Sequence, residues 1–379
     1  MSSDDRSWHT SSHPELRAGP PWVMQEMIEA QPGIAAVIAD ASGAETIATA
    51  ITQAADAGDP LVLAGCGTSE HGALAISALL DEALRTAGYR ARTECRQSLD
   101  AALEPRAGGF CLGVSHDGTT RATILALEAA RATGAVTATI GVRSDSPTAL
   151  GADHTLITPL RDRSWCHTVA YTSAILAGAA IAREISGAGA VDGGAILSAA
   201  LAQRERIEQL ATHIRPAGRI LCVGLGADLT TARELALKIE EGARIPTTAL
   251  QLESLLHGHL AGCAAETTAL VLFAADSRSG ARATYRLQSA AAAATAIGIP
   301  TIAIGAEIAL AALPASVERL VVPASDGAEL LSALLTGAVS LQLLTLALAH
   351  AVGSNPDLIR REQRPYREAA AVAETRADW

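Results

Sequence analysis

Leu61-Val62-Leu63-Ala64-Gly65-Cys66-Gly67-Thr68-Ser69 decides the fold, because its pattern returns at Ile220-Leu221-Cys222-Val223-Gly224-Leu225-Gly226. Each copy is a short continuous apolar run that enters a glycine turn and leaves as an amphipathic helix, through residue 80 in the first copy and over about residues 229–244 in the second. An apolar run without polar alternation predicts a strand buried on both faces. Further strands are expected at residues 110–114, 135–142 and 154–157 after the first turn, and at 269–274, 301–304 and 319–322 after the second. Strands alternating with helix-length segments predict an α/β chain, in two halves, each a parallel sheet covered by helices on both faces. Ligands of such sheets bind beyond the carboxyl ends of the strands, beside helix N-termini, so the two glycine turns are candidate ligand loops. Each lacks the third glycine and the downstream acid of a dinucleotide fingerprint, which excludes a nicotinamide reading.

The chain's 379 residues suffice for two domains. With 49% hydrophobic and 18% charged residues, a well-buried core is expected rather than disorder. Aromatics are 3% and alanine and glycine abound, so helices should approach closely through small side chains. A long helical stretch, residues 168–185 and 194–213 around a glycine-rich hinge at 187–194, joins the halves and puts the domain boundary near residue 190. The expected division is a flexible segment 1–21, a first domain 22–190, a second domain 191–352 and a tail 353–379. A net charge of −11 excludes a basic nucleic-acid surface but not a phosphate, which helix N-termini bind locally. The six cysteines form no CxxC pair and no metal spacing, which predicts no metal and a reducing, cytoplasmic setting without disulfides. Residues 1–21 hold no apolar signal core, and the apolar stretches are broken by Gly, Pro or charge, so no membrane partner is expected.

One lysine, Lys238, stands among many arginines. Glu234, Lys238 and Glu241 lie at i, i+4 and i+7, so all three share one helix face, and His257-Gly258 follows. A titratable ammonium beside a carboxylate suits proton transfer on a sugar. The same spacing also describes an ordinary solvated ion pair.

Five segments together resemble the double sugar isomerase (SIS) domain family, over about residues 22–368. The chain looks most like the isomerase half of glucosamine-6-phosphate synthase and its stand-alone deaminase and deglycase relatives. The segments are Met24 to Pro32, similar to the entry helix; Cys66-Gly67-Thr68-Ser69, similar to the first phosphate loop; Ser115-His116-Asp117-Gly118-Thr119-Thr120, in the place of the second; Glu234-x-x-x-Lys238-x-x-Glu241 with His257-Gly258, similar to the catalytic segment; and Gln342-Leu343-Leu344 with Gly353 to Asp357, similar to the closing helix and tail. The resemblance implies two tandem SIS domains, each a flavodoxin-like αβα sandwich. It implies that Gly67, Thr68, Ser69, Ser115, His116 and Thr120 line a phosphate site, that Glu241 moves a proton between C1 and C2 of an open-chain sugar, and that Lys238 tunes it. His257, ahead of its near neighbour His259, would assist ring opening from the adjacent subunit of a homodimer. No cofactor is implied.

Four departures shape the functional reading. The SIS region begins by residue 22 with no glutaminase half before it, so glutamine-driven amination by this chain is not expected. The family's tail lysine is replaced by Arg364, whose guanidinium cannot form an imine. Asp117 stands where the family has Ser, so either it turns away, a cation or His116 screens it, or the ligand lacks a phosphate at that end. Trp165 and His167 replace small residues beside the sugar, and Trp165 is either a stacking surface or core. The expected function is a sugar or sugar-phosphate isomerase or an amino-sugar deaminase. The alternatives are a deglycase or a phosphosugar sensor without turnover.

Overall fold

The two glycine-turn strands occupy equivalent places in two parallel five-stranded sheets, seen in a computed structural model that describes residues 17–215, 217–323, 325 and 327–375. Most of the expected flexible segment, residues 1–16, and the end of the tail, 376–379, lie outside the described residues. The chain runs α1 (Val23–Ala39), α2 (Ala44–Ala57), β1 (Leu61–Gly65), α3 (Thr68–Thr86), β2 (Thr93–Gln97), α4 (Ser98–Leu103), β3 (Phe110–Val114), α5 (Arg121–Ala132), β4 (Val136–Gly141), α6 (Pro147–Gly151), β5 (His154–Ile157) and α7 (Val169–Ser186). It continues through α8 (Gly193–Leu201), α9 (Arg204–Ile214), β6 (Arg219–Gly224), α10 (Ala227–Gly242), β7 (Thr247–Gln251), α11 (Leu252–Leu256), β8 (Thr268–Ala274), α12 (Gly280–Ile297), β9 (Thr301–Gly305), α13 (Glu307–Leu310), β10 (Glu318–Val321), α14 (Glu329–Val352) and α15 (Arg364–Thr375).

The sheet orders are β2-β1-β3-β4-β5 and, read from the matching edge, β7-β6-β8-β9-β10. This is the doubly wound flavodoxin order, whose crevice opens between the first and third strands. The repeat extends to single residues. A Cβ on Gly65 would sit 2.4 Å from the Ser69 carbonyl oxygen, and one on Gly224 2.3 Å from that of Asp228. Only glycine lets the strand end meet the helix's first turn so closely. Gly67 and Gly226 then cap α3 and α10 with φ of 56° and 58°.

The eight expected strands form. The sequence reading missed β2 and β7, the matching edge strands, whose half-buried Thr-Glu-Cys-Arg-Gln and largely half-buried Thr-Thr-Ala-Leu-Gln lack the apolar run of a central strand. The stretch 194–213 is two helices rather than one. It breaks at Ala202-Gln203, where Gln203 Nε2 donates to the Val321 carbonyl at 2.7 Å, and α9 turns toward β9 and β10.

α3, α7, α10 and α14 form the layer between the sheets, and one apolar core runs through both halves, from Leu63 and Ile175 to Leu235 and Leu344. α14 has the length and apolarity of a bilayer-crossing helix, yet 89% of its most apolar window is buried inside the fold. A buried amide network crosses this layer. Gln31 Nε2 donates to Gln342 Oε1 at 2.5 Å, Thr172 Oγ1 donates to Gln31 Oε1 at 2.7 Å, and Gln342 Nε2 donates to the Thr168 carbonyl at 3.1 Å.

The tail closes the entry helix. Both Asp357 carboxylate oxygens accept from the first turn of α1, Val23 N–H at 2.8 Å and Met24 N–H at 2.7 Å, and the Asp357 carbonyl accepts from Trp165 N–H at 3.0 Å. A carboxylate suits the positive end of a helix dipole. Asp357→Ala leaves two buried donors unmet, and chemical denaturation of the full chain should show a loss of about 2–4 kcal/mol.

Candidate functional site

The candidate chemistry gathers where α10 packs on α3. Glu234, Lys238 and Glu241 point from α10 into the layer between the sheets, with Glu234 and Lys238 fully buried and the Glu241 side chain 23% exposed. The Lys238 ammonium contacts the Glu241 carboxylate directly and lies 3.7 Å from Glu234 Oε1. Burial works against the ammonium, but Glu241 and Glu234 outweigh it and hold its pKa above the usual lysine range. A lysine whose protonated form is favoured in this way is a poor nucleophile for forming an imine. Burial also raises the Glu241 carboxyl above its ordinary value, with Lys238 opposing. Cys166 closes the same space, its thiol facing Lys238 and Glu241 and pushed well up by burial.

Across the interface, His71 Nδ1 meets Glu234 Oε2 at 2.6 Å. His71 is three residues after Thr68 in α3, one helical turn from the first candidate loop. This joins the α10 carboxylates to the α3 N-terminus, about 5 Å of helix rise apart. The sequence carried no signal for it, since His71 and Glu234 are 163 residues apart.

The two candidate loops lie at the crevice between β1 and β3. Thr68 is buried at the first position of α3, and Ser69 follows half-buried. Ser115 is buried after β3, and its hydroxyl donates to Thr120 Oγ1 at 3.4 Å; Thr120 is exposed at the start of α5. Hydroxyls and amides at two helix starts can hold an anion. Asp117 is paired: Arg161 Nε donates to it at 2.8 Å, so a guanidinium offsets the carboxylate at the rim. The sequence reading missed Arg161, which lies 44 residues away.

His116 is buried, and its Nε2 accepts the Asp162 backbone N–H at 2.8 Å. Burial pulls its pKa down to about 4, and that of His167, whose ring centroid lies 5.6 Å away, also to about 4. Both are neutral rings near pH 7. Asp162 organises the same loop by accepting from Ser164, Thr168 and Ala170 N–H. Trp165 lies under the Arg361 guanidinium, 4.5 Å from the ring centroid. Its indole face therefore stacks on the tail.

Two candidates lie elsewhere. His257 caps α11 with its side chain 75% exposed, 3.2 Å from Glu253, which Arg286 holds in a bidentate pair. Arg364 opens α15, 79% exposed, and pairs with Glu368 at 2.6 Å.

The second half bonds its own loop amides. Strand register aligns Ser69 with Asp228, and the His116–Asp117 amides with those of Ala275 and Asp276. The buried Asp228 carboxylate accepts both of those amides, at 3.0 and 3.1 Å. A side chain of the protein thus occupies amides whose first-half counterparts lie in the candidate anion loop.

No protein-family model matches the chain. A curated relative, glutamine–fructose-6-phosphate aminotransferase [isomerizing] from Zymomonas mobilis, is 29% identical over 217 residues, 53% of this chain and 35% of the relative. The chain therefore spans about a third of that relative's length. Among solved structures, the C-terminal domain of glucosamine-fructose-6-phosphate aminotransferase from Francisella tularensis superposes with a TM-score of 0.76 at 17% identity, covering 90% of this chain and 99% of that one. Tagatose-6-phosphate ketose/aldose isomerase from Escherichia coli gives 0.71 at 16% identity, covering 91% and 97%. Glucosamine-6-phosphate deaminase from Thermotoga maritima gives 0.66 at 18% identity, covering 88% and 96%. The chain has the tandem SIS fold that the sequence resemblance implied.

Burial pushes the Asp228 pKa up to about 7, with the two amides opposing. A carboxyl raised in the folded state lowers stability as pH climbs from its unfolded value toward 7. Thermal melts at pH 5 and pH 8 should therefore show the wild type losing more stability than Asp228→Asn across that interval, by about 3 °C.

Proposed function

We propose that the chain is a sugar-phosphate isomerase-type enzyme that transfers a proton between C1 and C2 of an open-chain sugar through an enediol. The observation that carries this is the half-buried Glu241 carboxylate, held against the chain's one lysine ammonium in a cluster that Glu234 and His71 link to the first turns of α3. A raised carboxyl pKa makes a stronger base, and a base must reach both carbons to return the proton. The raised Lys238 pKa and the outward placement of Arg364 support a route without an imine. The phosphate is assigned to Gly67, Thr68, Ser69, Ser115 and Thr120, with Arg161 offsetting Asp117 at the rim. This supports a phosphorylated ligand over an unphosphorylated one.

His257 is assigned to ring opening in a homodimer, where it would reach the neighbouring site. Its exposure, and its pairing with Glu253 rather than with Lys238 or Glu241, support a role outside its own subunit. Removal of ammonia from a 2-amino sugar uses the same enediol-type base, and the relatives named above include both chemistries. The product separates the two.

Proton NMR in deuterium oxide with hexose 6-phosphates and glucosamine 6-phosphate should show loss of the C1 or C2 proton signal. Glu241→Gln should slow that exchange by roughly 10³-fold while ligand-induced stabilisation persists. Exchange that survives in Glu241→Gln would remove Glu241 from the role. Stabilisation without exchange on any of these sugars would favour a sensor.

A further inference from the structure

The cluster on α10 has a charge imbalance. Two carboxylates, the buried Glu234 and the half-buried Glu241, share one buried ammonium. Glu234 is fully buried, its Oε1 has no hydrogen-bond partner, and its distance to Lys238 is 3.7 Å. Its one hydrogen bond in the structure is the 2.6 Å contact from His71 at Oε2. The other groups facing the cluster come from the loop before α7 and from α7 itself. Cys166 faces Lys238 and Glu241, His167 faces Lys238 and Glu234, Asp162 lies behind Cys166, and Tyr171 faces Glu234. The α14 residues packed on α10, among them Thr345, carry no charge. An ionised carboxylate without hydrogen bonds in such a place either takes up a proton or draws in the nearest cation.

We propose that His71 is a positioning residue for the Glu241 proton transfer: by donating Nδ1–H to Glu234 Oε2 it keeps that carboxylate occupied, so that the Lys238 ammonium stays with Glu241. The proposal rests on the reading of Glu241 as the base. It connects the helix that begins the phosphate loop to the acid–base group, through His71, Glu234, Lys238 and Glu241 in turn. Without the imidazole donor, Glu234 competes for Lys238, and the cluster binds its first proton at a higher pH. That proton belongs to the coupled cluster rather than to one carboxyl.

The chain's single lysine supplies the probe. Protein grown with lysine labelled with ¹³C at Cε and ¹⁵N at Nζ gives one side-chain signal, from Lys238, with no assignment step. In the full-length wild type, its shift should step once as the cluster takes up its first proton on acidification. His71→Ala should move that midpoint up by about one pH unit. His71→Asn, whose amide can still donate to Glu234, should return it to within about half a unit. The volume-filling His71→Phe carries the same expectation as His71→Ala should the latter not fold. In turnover, the acid limb of kcat should move with the lysine midpoint while KM changes by less than about twofold. An unmoved midpoint in the donor-free variants, a shift that His71→Asn does not restore, or a raised KM with a fixed acid limb would each overturn the proposal. The lysine titration needs no substrate, so it still reads the His71 coupling if no sugar is turned over and the isomerase reading falls.

Discussion

Burying the Lys238 ammonium constrains everything around it. Taking a charge of that kind out of water costs several kcal/mol, and only close, well-oriented carboxylates offset it. Glu234 and Glu241 provide them from the same helix, and His71 completes the set from α3. Removing Lys238 would leave two carboxylates with no cation between them, a change on the order of 3–5 kcal/mol. The cluster therefore fixes how α10 sits on α3, and so how the second sheet sits on the first. The small residues serve this constraint. A Cβ on Gly72 would lie 2.9 Å from the Ala174 side chain, one on Gly178 2.8 Å from Ile76, one on Gly337 2.9 Å from Thr231 and one on Gly242 2.9 Å from Thr345. Glycine at these crossings lets the four central helices close around the charges and exclude water, which strengthens each electrostatic contact inside.

The two halves repeat one fold and differ in what occupies the crevice. In the first half the residue after the helix start is Ser69, a short neutral hydroxyl. In the second it is Asp228, whose carboxylate reaches across to the loop after β8. Asp228 thus holds the amides after β8, and among the described residues Ser69 makes no matching bond to those after β3. The second half contributes instead through α10, whose inward face carries the carboxylates. The candidate loop and the candidate carboxylates come from different halves, and the helix layer brings them together.

The sequence made the central architecture legible because central parallel strands are continuous apolar runs and glycine turns mark their ends. It hid the edge strands, since Thr93 to Gln97 and Thr247 to Gln251 are largely half-exposed and read as loop. Glu234, Lys238 and Glu241 were readable as one face because a helix places i, i+4 and i+7 together whatever the tertiary structure does. His71 and Arg161 were not, because their partners come from distant segments that only the fold joins. His257 and Arg364 stood out by resemblance, and the structure places both on the outside of the chain. Trp165 was open between sugar surface and core. Its position under Arg361 depends on the tail, which no local pattern reports.

The Asp357 cap has a consequence for biosynthesis. The first turn of α1 is satisfied by a carboxylate 334 residues later, and Gln31 in the same helix by Gln342, 311 residues later. A ribosome makes the chain in the opposite order of need. While residues beyond 342 are still unmade, α1 lacks both partners, and the face it presents to α7 and α14 stays without its final covering. Domains often complete themselves as they emerge. Here the first half waits for Gln342 and Asp357 to be made, so its last contacts form late, and until then the nascent chain carries an open apolar seam that chaperones or premature aggregation can reach first.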